Sequence, residues 1–216
     1  MLAALRTIFL QKMPSSRIHT KTLAILNRAL WIFLFSSAPA FAGNQWAWMV
    51  EPSFMDYKVR RPVAGSERTI LALVRLRDGE ISGAEGGHGR TLAMAMKAIS
   101  PDAQRTAQEV LASLEPQFVR DKNGVIQYAV LESKNPLTAS AVLAPEFAEG
   151  FARTLGPDLL VALPSRFQIL VFSRQDQAFE KMGEAIIAGY LGSDYPVSRE
   201  IFSLENGELR SIGVLR

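Results

Sequence analysis

The sequence predicts an α+β fold: a largely antiparallel sheet of hairpins with three or four helices packed on it. Two observations carry that prediction. Asp-Gly and Asn-Gly pairs at "RDGE" (77–80), "KNGV" (122–125) and "ENGE" (205–208) each sit between apolar runs, and both residues of such pairs accept the positive φ of a tight hairpin turn. Between these turns lie stretches with apolar residues at helical spacing and a polar back, the pattern of a helix lying on a sheet. Neither an internal repeat nor a Gly/Ser- or Pro-rich linker breaks residues 43–216. They read as a single α+β domain, long enough to bury its own core.

In chain order, "NQWAWMVEPSFMDYKV" (44–59) opens with Trp46 and Trp48 at period two. That spacing predicts the buried face of a strand, with stacking on a sugar or a partner protein as the other use of such a pair. "KVRRPV" (58–63) is too short for a basic patch and reads as a solvated loop. The first hairpin pairs 68–76 with 80–83. Ser100 is then placed to cap a helix that Pro101 opens and that runs to about Leu114, since proline fits a first helical position. The second hairpin pairs 117–121 with 125–132. Pro145 opens a helix with Phe147, Phe151 and Leu155 on one stripe, closed by Gly156. In "VALPSRFQILVF", Pro164 to Arg166 separate two apolar runs, predicting a hairpin of 158–163 with 167–173. A third helix starts near Asp176, carries Phe179, Met182, Ile186 and Tyr190 on one face, and ends at Gly192. The last hairpin pairs 197–204 with 209–214.

From residue 128 onward, "YAVLESKNPLTASAVLAPEF", "DLLVALPSRFQILVFS" and the closing "IFSLENGELRSIGVL" resemble the C-terminal part of the YtpQ-like bacterial family of unknown function. The likeness lies in strand-helix-strand order, a Pro-centred turn and a terminal hairpin. Where such proteins carry an acidic residue just after the turn, this chain has Phe167. The resemblance implies a fold and assigns no catalytic residue.

Charge is distributed unevenly. Arg6, Lys12, Arg17, Lys21 and Arg28 lie within residues 1–42, which hold no acidic residue, and the first acid is Glu51. With those five set aside, 19 basic residues stand against 21 acidic ones. The formal charge of +3 therefore belongs to the leader, and the expectation of a nucleic-acid partner loses its basis. The leader has the pattern of a secretory signal: a basic segment, the apolar "ALWIFLF", and "SSAPAFA" with Ala40 and Ala42 at an A-x-A site. Cleavage between Ala42 and Gly43 is expected, with Met1 or Met13 as the start. The apolar run from 29 to 42 is short of the roughly 20 residues of a membrane span, so no stable anchor is expected after cleavage. The product would be periplasmic or extracellular. The chain contains no cysteine, which excludes a lipoprotein signal, thiol catalysis and cysteine-based zinc sites.

The chemistry-bearing candidates are few. "SGAEGGHGRT" (82–91) holds Gly83, Gly86, Gly87 and Gly89. A Walker A loop ending in Gly89-Arg90-Thr91 needs glycine at 84 and lysine at 90, where this chain has Ala84 and Arg90. The preferred reading is a connection, the other an anion site built from glycine amides and Arg90. His88 is the one histidine outside the leader. It is a candidate binding residue and, in the alternative reading, the base of a small exported hydrolase with Ser133, Ser165 or Ser173 as nucleophile. No G-x-S-x-G elbow supports that alternative. "ESKNPLTAS" (132–140) offers Glu132, Lys134 and Asn135 as further binding candidates, beside a plain turn with Thr138 as helix cap. Neither a metal site nor a cofactor is indicated. The function these residues support best is an exported, non-catalytic binding or accessory domain for an unknown protein or small molecule.

Overall fold

Antiparallel hairpins organise the computed structural model, which describes residues 44–86, 89–174, 179–205 and 207–215. The fold is α+β, with two antiparallel sheets. The first contains β1 (Asn44–Pro52), β2 (Arg60–Pro62), β3 (Thr69–Arg77) and β4 (Glu80–Gly83). Its centre is β3, which pairs with β1 from Asn44↔Arg77 to Pro52↔Thr69 and with β2 and β4 on its other side. The second sheet holds β5 (Gln117–Arg120), β6 (Ile126–Glu132), β7 (Leu159–Ser165), β8 (Gln168–Ser173), β9 (Glu200–Glu205) and β10 (Glu208–Val214). They run in the order β10-β9-β7-β8-β6-β5. All four predicted hairpins form with their expected partners.

Helices α1 (Gly89–Ala112), α2 (Phe147–Leu155) and α3 (Phe179–Leu191), with a 3-10 segment at Thr138–Leu143, cover the sheets. One continuous core gathers Met49 and Val74 from the first sheet, Val110 from α1, Phe147 and Phe151 from α2, and Leu131, Val161, Val171 and Phe202 from the second sheet. The far side of the second sheet buries Leu160, Leu170 and Ile201 against Met182 and Ile186 of α3. Burial on both faces is why β7 is apolar at nearly every position instead of alternating.

Three predictions need correction. The stretch "KVRRPV", read as a solvated loop, holds β2 and buries Val59 and Val63 on either side of it, because its pairing with β3 carries both valines into the core. The helix expected to start at Pro101 starts at Gly89 and carries Pro101 in its interior. The preceding "LAMAMKAI" is rich in helix formers. Tertiary contacts hold both halves, Met96 and Ile99 packing on the cluster of Val59, Leu73 and Ala84 that Trp46 and Trp48 also cover, and Ala107 and Val110 entering the main core. That anchoring outweighs the hydrogen bond a mid-helix proline removes. The tryptophans do lie on a strand, but Trp46 and Trp48 are half-buried, and the fully buried residues of β1 include Ala47 and Met49, which alternate with them. The tightly packed inter-sheet face takes the small and flexible side chains. The indole rings lie on the outer face under Arg75 and Arg61, whose guanidinium carbons are 5.9 and 5.0 Å from the ring centroids.

The sheets are joined around Glu200 of β9. Its buried carboxylate accepts from Ser66 at 2.7 Å, Ser198 at 3.3 Å and Ser211 at 3.0 Å, and from Thr69 of β3. Beside it, Ser211 donates its N–H to Ala64 at 2.8 Å, closing the outer edge of β10. Gly65 follows at φ 72°, where a Cβ would stand 2.6 Å from the Ser211 carbonyl oxygen. Only glycine permits both that angle and that approach.

Candidate functional site

The most charged buried cluster is at the β7–β8 turn. β7 runs through Pro164 and Ser165, so the turn is Arg166-Phe167, slightly later than predicted. The register irregularity between Ala162 and Ser165 accommodates the proline. From the turn, Arg166 reaches β1 and donates Nε and Nη2 to the two oxygens of Glu51 at 2.7 and 2.8 Å. Glu51 is 1% exposed. Nη2 also reaches the Tyr57 hydroxyl at 3.4 Å, and the Tyr195 ring covers the guanidinium at 5.2 Å, with Phe167 edge-on to that ring. Burial pushes the Tyr57 phenol above its usual range, the Glu51 charge adds to this, and the Arg166 charge and hydrogen bond oppose it. Burial pulls the Arg166 guanidinium down, but the hydrogen bonds and charge of Glu51 outweigh it and hold the group above its usual value. The result is a neutralised clasp: the cation is matched by its own carboxylate, and the phenol is held in its neutral form.

The loop singled out from sequence packs on this turn. Ser133 donates its N–H to the Phe167 carbonyl at 3.1 Å, and Ala139 donates to that of Arg166 at 2.9 Å. Asn135 Oδ1 accepts from the Leu137 N–H at 2.9 Å. Thr138 does not cap the segment it begins; its hydroxyl donates back to the Asn135 carbonyl at 2.6 Å and lies 2.7 Å from Ser133 Oγ. The loop is thus an Asx-type turn. Asn135 is half-buried inside it, while Glu132 and Lys134 are exposed at its start. Ser133 and Ser165 both accept backbone N–H groups, from Asn135 and Phe167. His88, Ala42, Gly43 and the side chain of Arg90 lie outside the described residues.

A second site was not anticipated. An open groove of about 370 Å³ lies between the end of α1, one face of α2 and the edge strand β5. Its floor and walls include Leu111, Leu114, Leu131, Phe147 and Phe151, with Phe118 of β5 at one side. Phe147, Gly150 and Phe151 share one face of α2, at spacings of three and four. The absent side chain at Gly150 leaves the notch, and a Cβ there would meet nothing within 4 Å. Glu146, Glu149 and Arg153 stand at the rim, with Glu146 accepting from Gln108 Nε2 at 3.1 Å. The signal lies in the sequence: Phe147 and Phe151 fall on the apolar stripe of the helix, and Gly150 interrupts it. An apolar concavity of this size with a few charged groups at its mouth suits a ligand side chain or a small molecule.

Among the described residues, no group of three or more His, Asp or Glu side chains is arranged to hold a metal ion, and no helix is long and apolar enough to cross a membrane. No family model, curated protein or solved structure matches this chain.

Proposed function

We propose that residues 43–216 act as an exported binding or accessory domain, non-catalytic, which holds its partner in the groove between α2 and β5. The observation that carries this reading is Gly150: it opens an apolar notch on a helix face whose other residues, Phe147 and Phe151, are core. Export is supported by the basic-apolar-A-x-A leader, and the near-neutral balance of the remaining residues favours a protein or small-molecule partner over nucleic acid. Ser133 and Ser165 each serve a turn of their own by accepting a backbone N–H, and neither they nor Ser173 sit in a G-x-S-x-G elbow, which favours binding over serine hydrolysis with His88.

The test is a small-fragment screen read by amide NMR shifts, with Gly150→Phe as the blocked control. Fragments that shift Phe118 and Gly150 and lose binding in the variant support the reading. Hits confined elsewhere, or hits indifferent to the block, sink it.

A further inference from the structure

We infer that the groove's natural occupant is an extended polypeptide segment that adds to β5 as a seventh strand of the second sheet, placing an apolar side chain in the notch and a lysine or arginine at its rim. This rests on the groove being the binding site. The two edges of that sheet differ. At β10, Ala64 bridges Arg210 and accepts from the Ser211 N–H. At the other end β5 is last in the strand order, and among the described residues its outer side pairs with nothing. Alternate residues of a strand aim their N–H and C=O groups to opposite sides, so β5 presents unpaired main-chain donors and acceptors outward. Such an edge invites another strand.

The edge and the groove share a residue. Phe118 belongs to β5, is 37% exposed, and forms a wall of the notch. A strand laid along β5, about 4.8 Å away, sends every second side chain to the groove's side of the sheet. One such side chain meets Leu114, Phe147 and Phe151; the next on the same side lies roughly 7 Å along, toward the rim. There Glu146 and Glu149 outnumber Arg153, and neither carboxylate is ion-paired among the described residues. The field therefore favours a cation. Main-chain pairing supplies affinity, and the notch with its acidic rim supplies selectivity. β5 is only four residues long and follows Pro116, so the paired stretch is short.

The probe is a random heptapeptide display library panned on the full chain, followed by synthesis of the enriched peptides with single N-methylations. Expected are sequences with an apolar residue two positions from Lys or Arg. N-methylation at alternate positions should weaken binding about tenfold, the loss of one main-chain hydrogen bond, and leave intervening positions unaffected. Reversing the rim with Glu146→Lys and Glu149→Lys should weaken binding by a similar factor, and every second amide from Gln117 to Arg120, those facing away from β6, should gain protection from exchange. If Gly150→Phe abolishes binding but N-methylation is harmless everywhere, strand addition is wrong and the groove reading survives. If neither change matters, both are wrong. Absence of enrichment, or β5-mediated self-association without peptide, also overturns the proposal, the latter by making a second copy the occupant.

Discussion

Arg166 and Glu51 stand 115 positions apart in the chain, yet they meet as a two-point ion pair, with both N···O distances below 3 Å. The pair ties the β7–β8 turn of one sheet to β1 of the other. Removing Arg166 strands a carboxylate that is 1% exposed, and removing Glu51 leaves a guanidinium that is 15% exposed without its anion. Arg166→Met or Glu51→Gln alone should therefore lower stability by about 3–5 kcal/mol, and the double variant Glu51→Leu/Arg166→Met should recover most of that loss. Urea unfolding of the three variants measures it; additive losses would show that the side chains do not act as a pair.

Tyr57 beside this pair gives the alkaline side of the pH profile. Its phenol is pushed above its usual range, first by burial and then by Glu51. A raised folded-state value means that the folded chain holds this proton more tightly. The associated stability is present below about pH 10, the unfolded tyrosine value, and is lost as pH rises through the folded one. Following phenolate absorbance against pH should show a late-titrating tyrosine that disappears in Tyr57→Phe. The variant should also lose less stability than the parent on going alkaline.

Among the described residues, the Glu200 carboxylate takes its hydrogen bonds from hydroxyls, those of Ser66, Thr69, Ser198 and Ser211. Glu200→Gln keeps the shape but turns an acceptor oxygen into a donor facing other donors. A loss of about 1–3 kcal/mol is expected by thermal or urea unfolding. An unchanged midpoint would mean that the hydroxyls reorient at no cost.

Two helix glycines should respond oppositely to alanine. At Gly150 a Cβ meets open space, so Gly150→Ala should stabilise by about 0.5–1 kcal/mol through helix propensity. At Gly189 of α3 it would press on Gln168 Oε1 and stand 3.1 and 3.2 Å from the Pro164 ring. Gly189→Ala should destabilise by about 1–2 kcal/mol, since rigid ring carbons do not yield to an added methyl. Equal responses in calorimetry would contradict the packing described for the groove and for α3.

Export is checked by intact mass. The protein recovered from a fractionated bacterial host should begin at Gly43 and appear outside the cytoplasm. A cytoplasmic species retaining Met1 or Met13 would return the basic leader to the working protein and reopen the nucleic-acid reading.

By itself the sequence determined what is local. The Asp-Gly and Asn-Gly turns specify hairpins because positive φ is a property of one or two residues, and the Phe147-Phe151-Leu155 stripe specifies a helix face because its spacing is the helical repeat. The α+β class follows from their alternation. Where a local rule met a tertiary demand, it failed: Pro101 sits inside α1 because packing on the first sheet holds the helix before it and the main core holds it after. The order in which hairpins lie side by side, the division into two sheets, and the meeting of Glu51 with Arg166 belong to the tertiary structure alone. Each depends on which apolar faces find one another in space, and no short window of sequence contains both partners. The groove has the same origin. Gly150 marks its position in the chain, but a missing side chain becomes a binding surface only when β5 ends the sheet beside it.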